Sequence, residues 1–419
     1  MTKRKVAPHR DTLWLSTADA INLIFGIIIH VILTRVLISS DYGLFILLLD
    51  FFHVCVIIID LGMPTLIGRD GERLGIHLNK VIRKIIKIQI VPFLIGIFLF
   101  SFIGVYLFGG WIDVAIILSI SAGLLVLTYS YRSALRSLGE ARIEAIIRII
   151  DRGVVAFLMI TWSSTILEFA IATLIGPICS FVIAYTIFKL KVSPQLSVPS
   201  EEIPEISEYD NYNLIKAGLP FLFASAALVI NVRIEKLLLG FIAGPNDVAI
   251  YQIAWLGFIA GYGPILSLRA ILLSWFGEVR DDLEKVIYRF KRAMYATIIV
   301  AILGAIIAFL IYPFVYDILF PEYTDSVNLP FRILLISWIL HTISSPSLSL
   351  IQTSTTPWKY TRILWYGITV SGVVCLCLIY SLSNAVIGAT IGTVCGSTIV
   401  FILSIYNSRT MINKSEINV

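Results

Sequence analysis

Long apolar runs recur along the whole chain and limit it to one class of fold. A helix needs roughly 20 mostly apolar residues to cross about 30 Å of hydrocarbon. Twelve segments meet this requirement, at about 13–38, 44–66, 88–107, 114–134, 145–162, 168–188, 217–240, 248–274, 294–316, 331–352, 362–381 and 385–406. The runs are continuous and do not alternate, which favours helices over the strands of a membrane barrel. We expect an all-α integral membrane protein with about twelve transmembrane helices.

The composition supports this class and argues against two others. The chain of 419 residues is 58% hydrophobic and 14% charged, whereas a soluble domain carries roughly 25% charged residues. A net charge of +5 does not indicate nucleic-acid binding, because the basic residues lie between apolar runs. The first apolar run follows a basic leader but is too long for a signal peptide, so we expect it to be retained.

The basic residues predict the orientation of the helices. Of 32 lysines and arginines, 27 fall at the N-terminus, at the C-terminus or in every second connection between spans. The alternate connections, 39–44, 108–113, 163–167, 241–247, 318–330 and 382–384, contain none. Cytoplasmic connections of membrane proteins are enriched in Lys and Arg. We expect both termini on the cytoplasmic side of the cell membrane, which requires an even number of spans.

A polar stretch divides the chain into two similar halves. We predict an N-terminal six-helix lobe at 1–195, a cytoplasmic linker at 196–212, and a C-terminal six-helix lobe at 213–419. Pro64 lies five residues before Arg69, and Pro264 lies five residues before Arg269, an offset of 200 residues between the halves. Six spans per half make a parallel repeat, for which substrate is expected at the interface near the midplane.

Several motifs occur in order along the spans: "RVLISSDYGLF", "DLGMPTLIGR", "ALRSLGEAR", "LPFLFASAALVINVRIEKLLLGFIAGPNDVAIYQIA" and "LFPEYTDS". With them the chain resembles the polysaccharide-export and oligosaccharide flippase family of the superfamily that also contains multidrug/toxin extrusion antiporters. The positions that match the family pattern are Arg35, Leu37, Tyr42, Gly43, Asp60 and Gly62. The chain departs from it at Glu235, where the family often has Asp, and at Ala249, where glycine is usual.

This resemblance implies a fold and a cargo. The implied fold has two six-helix lobes around a central cavity that opens alternately to the two sides. The implied cargo is a polyprenyl-pyrophosphate-linked oligosaccharide, moved from the cytoplasmic to the outer leaflet for surface polysaccharide assembly. The bilayer is a necessary partner, and a polysaccharide polymerase or glycosyltransferases are further candidates. We expect no nucleic acid, metal or cofactor.

A pyrophosphate head cannot cross hydrocarbon unpaired, so its path needs fixed cations. The candidate cavity cations are Arg35, Arg233, Lys236, Arg269 and Arg152. Each has a structural alternative. Arg35 is either a cavity cation or a helix-end arginine whose charge reaches the outer headgroups. Arg269 is either a substrate contact or an arginine at the cytoplasmic end of its span. Arg152 is the last member of a charged stripe on one helix face, formed by Glu144, Arg148, Asp151 and Arg152. This stripe is either part of an inner vestibule that meets the cargo head or a solvated, self-paired helix end.

Acidic groups and one histidine within the spans suggest ion coupling. The candidates are Asp50, His53, Asp60 and Glu235. Asp50 and His53 are three residues apart and share a helix face. Histidine and a desolvated carboxylate can both titrate near neutral pH. The alternative is a structural pair that bonds polar groups of the first span. In the last span, three glycines at four-residue spacing predict close helix packing.

The sequence contains no Walker A motif, no catalytic-triad spacing and no metal cluster, so we do not expect an enzyme. Two other functions stay open. One is an ion-coupled antiporter for cationic small molecules, which requires a net anionic cavity. The other is a membrane scaffold for polysaccharide synthases.

Overall fold

The computed structural model describes residues 8–74, 77–192, 210–277, 279, 282–353 and 357–413, and the regular structure within them is helical. The predicted all-α fold class is confirmed. The helices are α1 (Pro8–Val36), α2 (Ser39–Cys55), α3 (Ile57–Asp60), α4 (Met63–Leu74), α5 (Leu78–Phe108), α6 (Ile112–Ser137), α7 (Ala141–Thr161), α8 (Ile166–Ile187), α9 (Asn211–Asn231), α10 (Ile234–Ile242), α11 (Pro245–Gly277), α12 (Leu283–Leu319), α13 (Thr324–Thr353), α14 (Pro357–Ser381) and α15 (Ala385–Asn413).

Within the described residues, 11 helical segments are long and apolar enough to cross a membrane. They coincide with the predicted spans, with one exception. The predicted fifth span, 145–162, corresponds to α7, a helix of 21 residues that is too rich in charge to qualify by composition. Its charges lie in the first half of the helix, where they pair with neighbouring helices as described below.

The chain divides into two compact units. The first consists of Met1–Asp41 with Leu48–Val229, and the second of Tyr42–Leu47 with Ile230–Val419. In the first unit, α7 packs against α1 and α8, and α6 packs against α4, α5 and α8. In the second, α13 packs against α11, α12 and α15, and α14 packs against α10 and α15. The predicted lobe boundaries stay a prediction, because residues 193–209 of the linker region lie outside the described residues.

In the first unit, the second span breaks where α3 ends. Leu61 has a φ of 52° and Gly62 a φ of 71°, both left-handed. The carboxylate of Asp60 accepts a hydrogen bond from the backbone nitrogen of Gly62 at 2.8 Å. The carbonyl of Asp60, which the break releases from the helix, accepts one from the side chain of fully buried Gln89 at 3.1 Å. Polar side chains therefore satisfy the backbone at this break, as a water-free environment requires.

Residues Tyr42–Leu47 of α2 belong to the second unit, and their packing there explains the motif "DYGLF". Tyr42 is fully buried. A side chain at Gly43 would collide with the backbone of Pro245, the first residue of α11. One helical turn further on, a side chain at Gly240 of α10 would collide with Leu47. Glycine is needed at these two positions because α2 lies directly against α10 and α11.

The glycine stripe of the last span packs as predicted. A methyl group at Gly388 would lie 2.8 Å from the carbonyl carbon of Leu378, and one at Gly396 would lie 2.6 Å from Cβ of Ser371. At Gly392 the distance to Cβ of Cys375 would be 2.7 Å. Close approach of α15 to α14 therefore depends on the absence of side chains along this stripe.

We predict that Gly392→Ala destabilises the protein by about 1–3 kcal/mol, because the new methyl group must displace the backbone of α14. The matched control is Gly26→Ala in α1, where a methyl group would meet no described atom within 4 Å. Thermal unfolding of the two purified variants in detergent tests this. Equal melting temperatures for both variants would contradict the packing.

Candidate functional site

Arg269 lies inside the second unit, although it sits near the end of its span. Because α11 continues to Gly277, Arg269 is about two turns from the helix end and only 9% exposed. Its Nε donates to Ser345 Oγ at 3.1 Å, and its Nη2 donates to the carbonyl oxygen of His341 at 3.3 Å. Its Nη1 donates to the Tyr262 hydroxyl at 3.4 Å. All three described acceptors are neutral, so no carboxylate balances this buried guanidinium.

His341 connects the arginine to the neighbouring helix α15. Its Nε2 lies 3.2 Å from Ser397 Oγ, which in turn is 2.5 Å from Ser337 Oγ. The other ring nitrogen, Nδ1, is buried and has no hydrogen-bond partner among the described residues. A buried nitrogen of this kind normally faces a partner or a water molecule. We therefore regard His341 as part of a polar site and not only of the helix packing.

Four aromatic rings form one face of α11, which we call the aromatic ladder: Tyr251, Trp255, Phe258 and Tyr262. Successive centroids are 6.1, 4.4 and 5.5 Å apart, and the rings are stacked. The spacing of three or four residues along the helix produces this alignment. The ring of His341 meets the last two rungs edge-on. The ladder therefore ends at the arginine, whose guanidinium lies 5.8 Å from the centroid of the Tyr262 ring.

Glu235 and Lys236 are buried in α10 and bind different helices. The Glu235 carboxylate accepts a short hydrogen bond from Ser371 of α14. Lys236 Nζ donates to Gln252 Oε1 of α11 at 2.9 Å. Adjacent residues of a helix point about 100° apart, which explains why the two charges do not pair with each other.

A narrow pocket with room for about one water molecule lies beside these groups, and neither Arg269 nor Lys236 is among its lining residues. Its walls include Glu235, Trp255, Tyr262, His341, Ser371 and Ser397. Flat aromatic faces with a few polar groups are typical of sites for organic ligands. Within the described residues, no three His, Cys, Asp or Glu side chains are placed to hold a metal ion. The chemistry available here is therefore hydrogen bonding, ring stacking and charge.

The first unit contains a second polar group, the buried charge cluster: Arg132, Arg136, Glu144 and Asp151. Glu144 of α7 is 1% exposed, and its Oε1 lies 3.6 Å from a guanidinium nitrogen of each of the two arginines of α6. The other oxygen of Glu144, the Nε of Arg132 and one oxygen of Asp151 are buried without a described hydrogen-bond partner. These atoms leave polar capacity for water or a ligand.

Two members of the predicted stripe on α7 pair with other helices. Its first member, Glu144, binds α6, and Arg148 forms an ion pair with Asp19 of α1. Arg152, the candidate cation at the end of the stripe, is half-buried. The reading of this stripe as a solvated, self-paired helix end is wrong for Glu144, because its carboxylate is buried against another helix.

The remaining candidates lie elsewhere. Arg35 is exposed in the last turn of α1, where the helix dipole favours a cation. Arg233 is half-buried at the start of α10. Asp50 is buried in α2, and His53 Nδ1 donates to the carbonyl oxygen of Leu49 at 2.6 Å. Asp60 closes the helix break described above. Their roles in cargo binding and ion coupling stay predictions.

The structure thus brings together in the second unit Glu235, Lys236 and Arg269 with residues that the sequence analysis missed. In the second unit, the missed residues are His341, Gln252, Ser371, Ser397 and the aromatic ladder. In the first unit, they are Arg132 and Arg136. Two signals were present in the sequence. The aromatic positions of α11 recur at helical spacing, and "HTISSPSLS" places an unusual density of hydroxyls in a membrane span.

A sequence model of the polysaccharide biosynthesis protein family matches residues 9–255, more than half of the chain. The chain belongs to this family. This polysaccharide biosynthesis family member matches no curated protein in a direct sequence comparison.

Solved structures identify the fold of this family member. It is similar to a multidrug resistance MATE family transporter of the MOP superfamily in an outward-facing conformation, with 17% identity and a TM-score of 0.71 over 97% of this chain and 96% of the other. It is also similar to an inward-facing MATE family transporter, with 16% identity and a TM-score of 0.79 over 96% and 98%. The protein therefore has the fold of MOP-superfamily transporters, which are not enzymes, and is a multi-pass membrane protein.

We predict that Glu144→Gln costs about 3 kcal/mol of stability, because it leaves Arg132, whose side chain is only 14% exposed, without its carboxylate. Asp19→Asn is the control. Its carboxylate is 52% exposed, and loss of an exposed pair costs about 0–1 kcal/mol. Thermal unfolding and the yield of folded protein report the difference. A Glu144→Gln variant as stable as Asp19→Asn would show that the cluster contributes little to folding.

Proposed function

We propose that this membrane transporter is a flippase for a polyprenyl-pyrophosphate-linked oligosaccharide. It would move the cargo from the cytoplasmic to the outer leaflet by alternating access, for assembly of a surface polysaccharide. Membership of the polysaccharide biosynthesis family and the transporter fold support the general class. The cargo itself is the one that the family resemblance implies, and the chemistry of the buried polar residues supports it.

The observation that carries the proposal is the state of Arg269. A buried charge is expensive in a membrane protein and is normally paired. Arg269 is bound by two hydroxyls and a carbonyl, which orient the guanidinium but do not neutralise it. An anionic group is therefore the ligand that this site lacks. A guanidinium suits a phosphate particularly well, because its planar donors bind two oxygens at once.

The aromatic ladder supplies the second half of the cargo chemistry. Sugars present both flat C–H faces and hydroxyl groups. Trp255 and Tyr262 contribute aromatic rings to the walls of the pocket, and Ser371 and Ser397 contribute hydroxyls. In the first unit, Arg132 and Arg136 supply further cations, although Glu144 already binds them.

The environment of the transporter belongs to the same proposal. We place it in the cell membrane with both termini in the cytoplasm, as the asymmetry of basic residues indicates. The cargo arises at cytoplasmic glycosyltransferases and is consumed by a polysaccharide polymerase, so these are the proposed partners. Energy would come from an ion gradient or from the gradient of the cargo.

We predict that Arg269→Gln weakens cargo binding about tenfold or more, because a charge-assisted hydrogen bond contributes roughly 1.5–3 kcal/mol. Arg269→Lys should retain part of the function as a point charge. The measurement is complementation of a deletion strain, in which surface polysaccharide is scored at equal protein level. Parallel Gln and Lys variants of Arg35, Arg233 and Arg152, together with Lys236→Gln and Lys236→Arg, rank the other candidate cations.

Arg332→Gln is the matched control for this series. Arg332 is also an arginine of a long helix in the second unit, but it is exposed and lies 4.6 Å from the centroid of the Phe309 ring. It should restore wild-type polysaccharide. If Arg269→Gln does so as well, the guanidinium has only a packing role and the cationic mechanism is wrong.

One observation favours a second candidate function, an ion-coupled antiporter for cationic small molecules. Glu235 is a buried carboxylate in a pocket with aromatic walls. Such a site can bind an organic cation or exchange a proton. In the flippase, the same carboxylate would serve ion coupling, together with Asp50, His53 and Asp60.

We predict that Glu235→Gln flattens the pH dependence of transport in proteoliposomes, because the amide cannot exchange a proton. Asp282→Asn is the control, since this carboxylate lies outside the membrane spans and caps α12. An unchanged pH profile for Glu235→Gln would remove Glu235 from the coupling mechanism. Uptake of a cationic dye in place of the lipid-linked cargo would favour the antiporter.

A further inference from the structure

One face of α5 carries a basic stripe that continues into an apolar one. Lys80, Arg83 and Lys87 are exposed at a spacing of three and four residues. The same face continues with Val91 and Leu94, which are 60% and 56% exposed. Apolar side chains exposed in the middle of a membrane span face lipid. The cations therefore lie where this lipid-facing surface reaches the level of the headgroups.

The opposite face of α5 fixes this orientation. Val81, Ile82 and Ile85 are buried in a cluster with Tyr131 of α6 and residues of α8. Buried and exposed positions thus alternate with the helical period. The basic stripe cannot turn inward without opening this core.

The stripe is uncompensated within the described part of the chain. Lys80, Arg83 and Lys87 form no ion pair with a described acidic residue, and the first turn of α5 contains no acid. The N-terminal end of a helix carries a partial positive charge of its own. The cations and the helix end therefore act in the same direction and attract anions.

The end of α8 packs in the same hydrophobic cluster as the start of α5 and carries a further basic and aromatic group. Lys189 is exposed just beyond α8, and its Nζ lies 5.7 Å from the ring centroid of Tyr185. Tyr185 is 42% exposed, and its ring packs edge-on against Tyr131 at 5.8 Å. Half-exposed tyrosine is characteristic of the interface between membrane and water. A tyrosine and a fourth cation thus complete the surface.

We propose that the basic stripe Lys80, Arg83 and Lys87 of α5, with Lys189 and Tyr185 at the same end of the unit, binds the headgroup of an anionic phospholipid. The phosphate and its neighbours meet the cations, while the acyl chains lie along Val91 and Leu94. Clusters of cations beside a membrane span attract anionic lipids in this way. The site is separate from the polar pocket of the second unit and does not depend on the identity of the cargo.

The corresponding end of α12 provides a comparison. Lys285 is exposed there too, but its Nζ lies 2.8 Å from the carboxylate of Asp282. A cation that already has a carboxylate partner has less to gain from a lipid phosphate. Lys285 is therefore the matched control for a single exposed charge.

The experiment is native mass spectrometry of the purified full chain titrated with phosphatidylglycerol or with phosphatidylcholine. The variants are Lys80→Gln, Arg83→Gln, Lys189→Gln, the conservative Arg83→Lys, and the control Lys285→Gln. Each cation contributes enough for about a fivefold loss of phosphatidylglycerol affinity when neutralised. We expect that loss for the three Gln variants, near wild-type binding for Arg83→Lys and Lys285→Gln, and little change with phosphatidylcholine.

Three results would overturn the proposal. The first is wild-type phosphatidylglycerol affinity in all three Gln variants. The second is an equal loss of affinity for phosphatidylcholine in the Gln variants, which would mean that the substitutions disturbed only apolar packing. The third is displacement of phosphatidylglycerol by equimolar polyprenyl phosphate from the wild-type protein but not from Arg83→Gln. This result would assign the surface to the cargo lipid. Melting temperatures without lipid verify that each variant is folded.

Discussion

A hydrocarbon layer offers no water to a buried polar atom, so polar side chains within the spans must find their partners in the protein. This constraint explains the break after α3, where Asp60 and Gln89 bind the released backbone groups. It also explains why α7 can carry charge, since Glu144 lies between two arginines of α6. Around Arg269 the described partners are neutral, and this is where we propose that an anionic ligand binds.

The two units meet this constraint in different ways. The first unit pairs cations with acids, and Glu144 occupies the position that an anionic ligand of Arg132 and Arg136 would take. The second unit surrounds its arginine with hydroxyls, a histidine and stacked rings. A fixed cation beside aromatic faces suits a cargo that is anionic at one end and sugar-like at the other. This arrangement in the second unit is the basis of the cargo that we propose.

Much of the fold follows from the sequence, because apolar runs of about twenty residues dictate spanning helices. The sequence also indicates the glycine stripe of α15, whose spacing is a local property. The candidate site was harder to predict, since its partners are distant in the chain. Arg269 binds residues 72 and 76 positions away, and Ser371 is 136 positions from Glu235. No local pattern could indicate that the described partners of Arg269 are all neutral or that Glu144 lies beside two arginines.

The measurement that tests the account most directly is cargo translocation in proteoliposomes. A fluorescent polyprenyl-pyrophosphate oligosaccharide is placed in one leaflet, and an impermeant glycosidase added to the other side reports its transfer. The account predicts that the wild-type protein exposes the sugar to the enzyme much faster than protein-free vesicles do. If the rates are equal while the same protein transports a cationic dye, the flippase assignment is wrong.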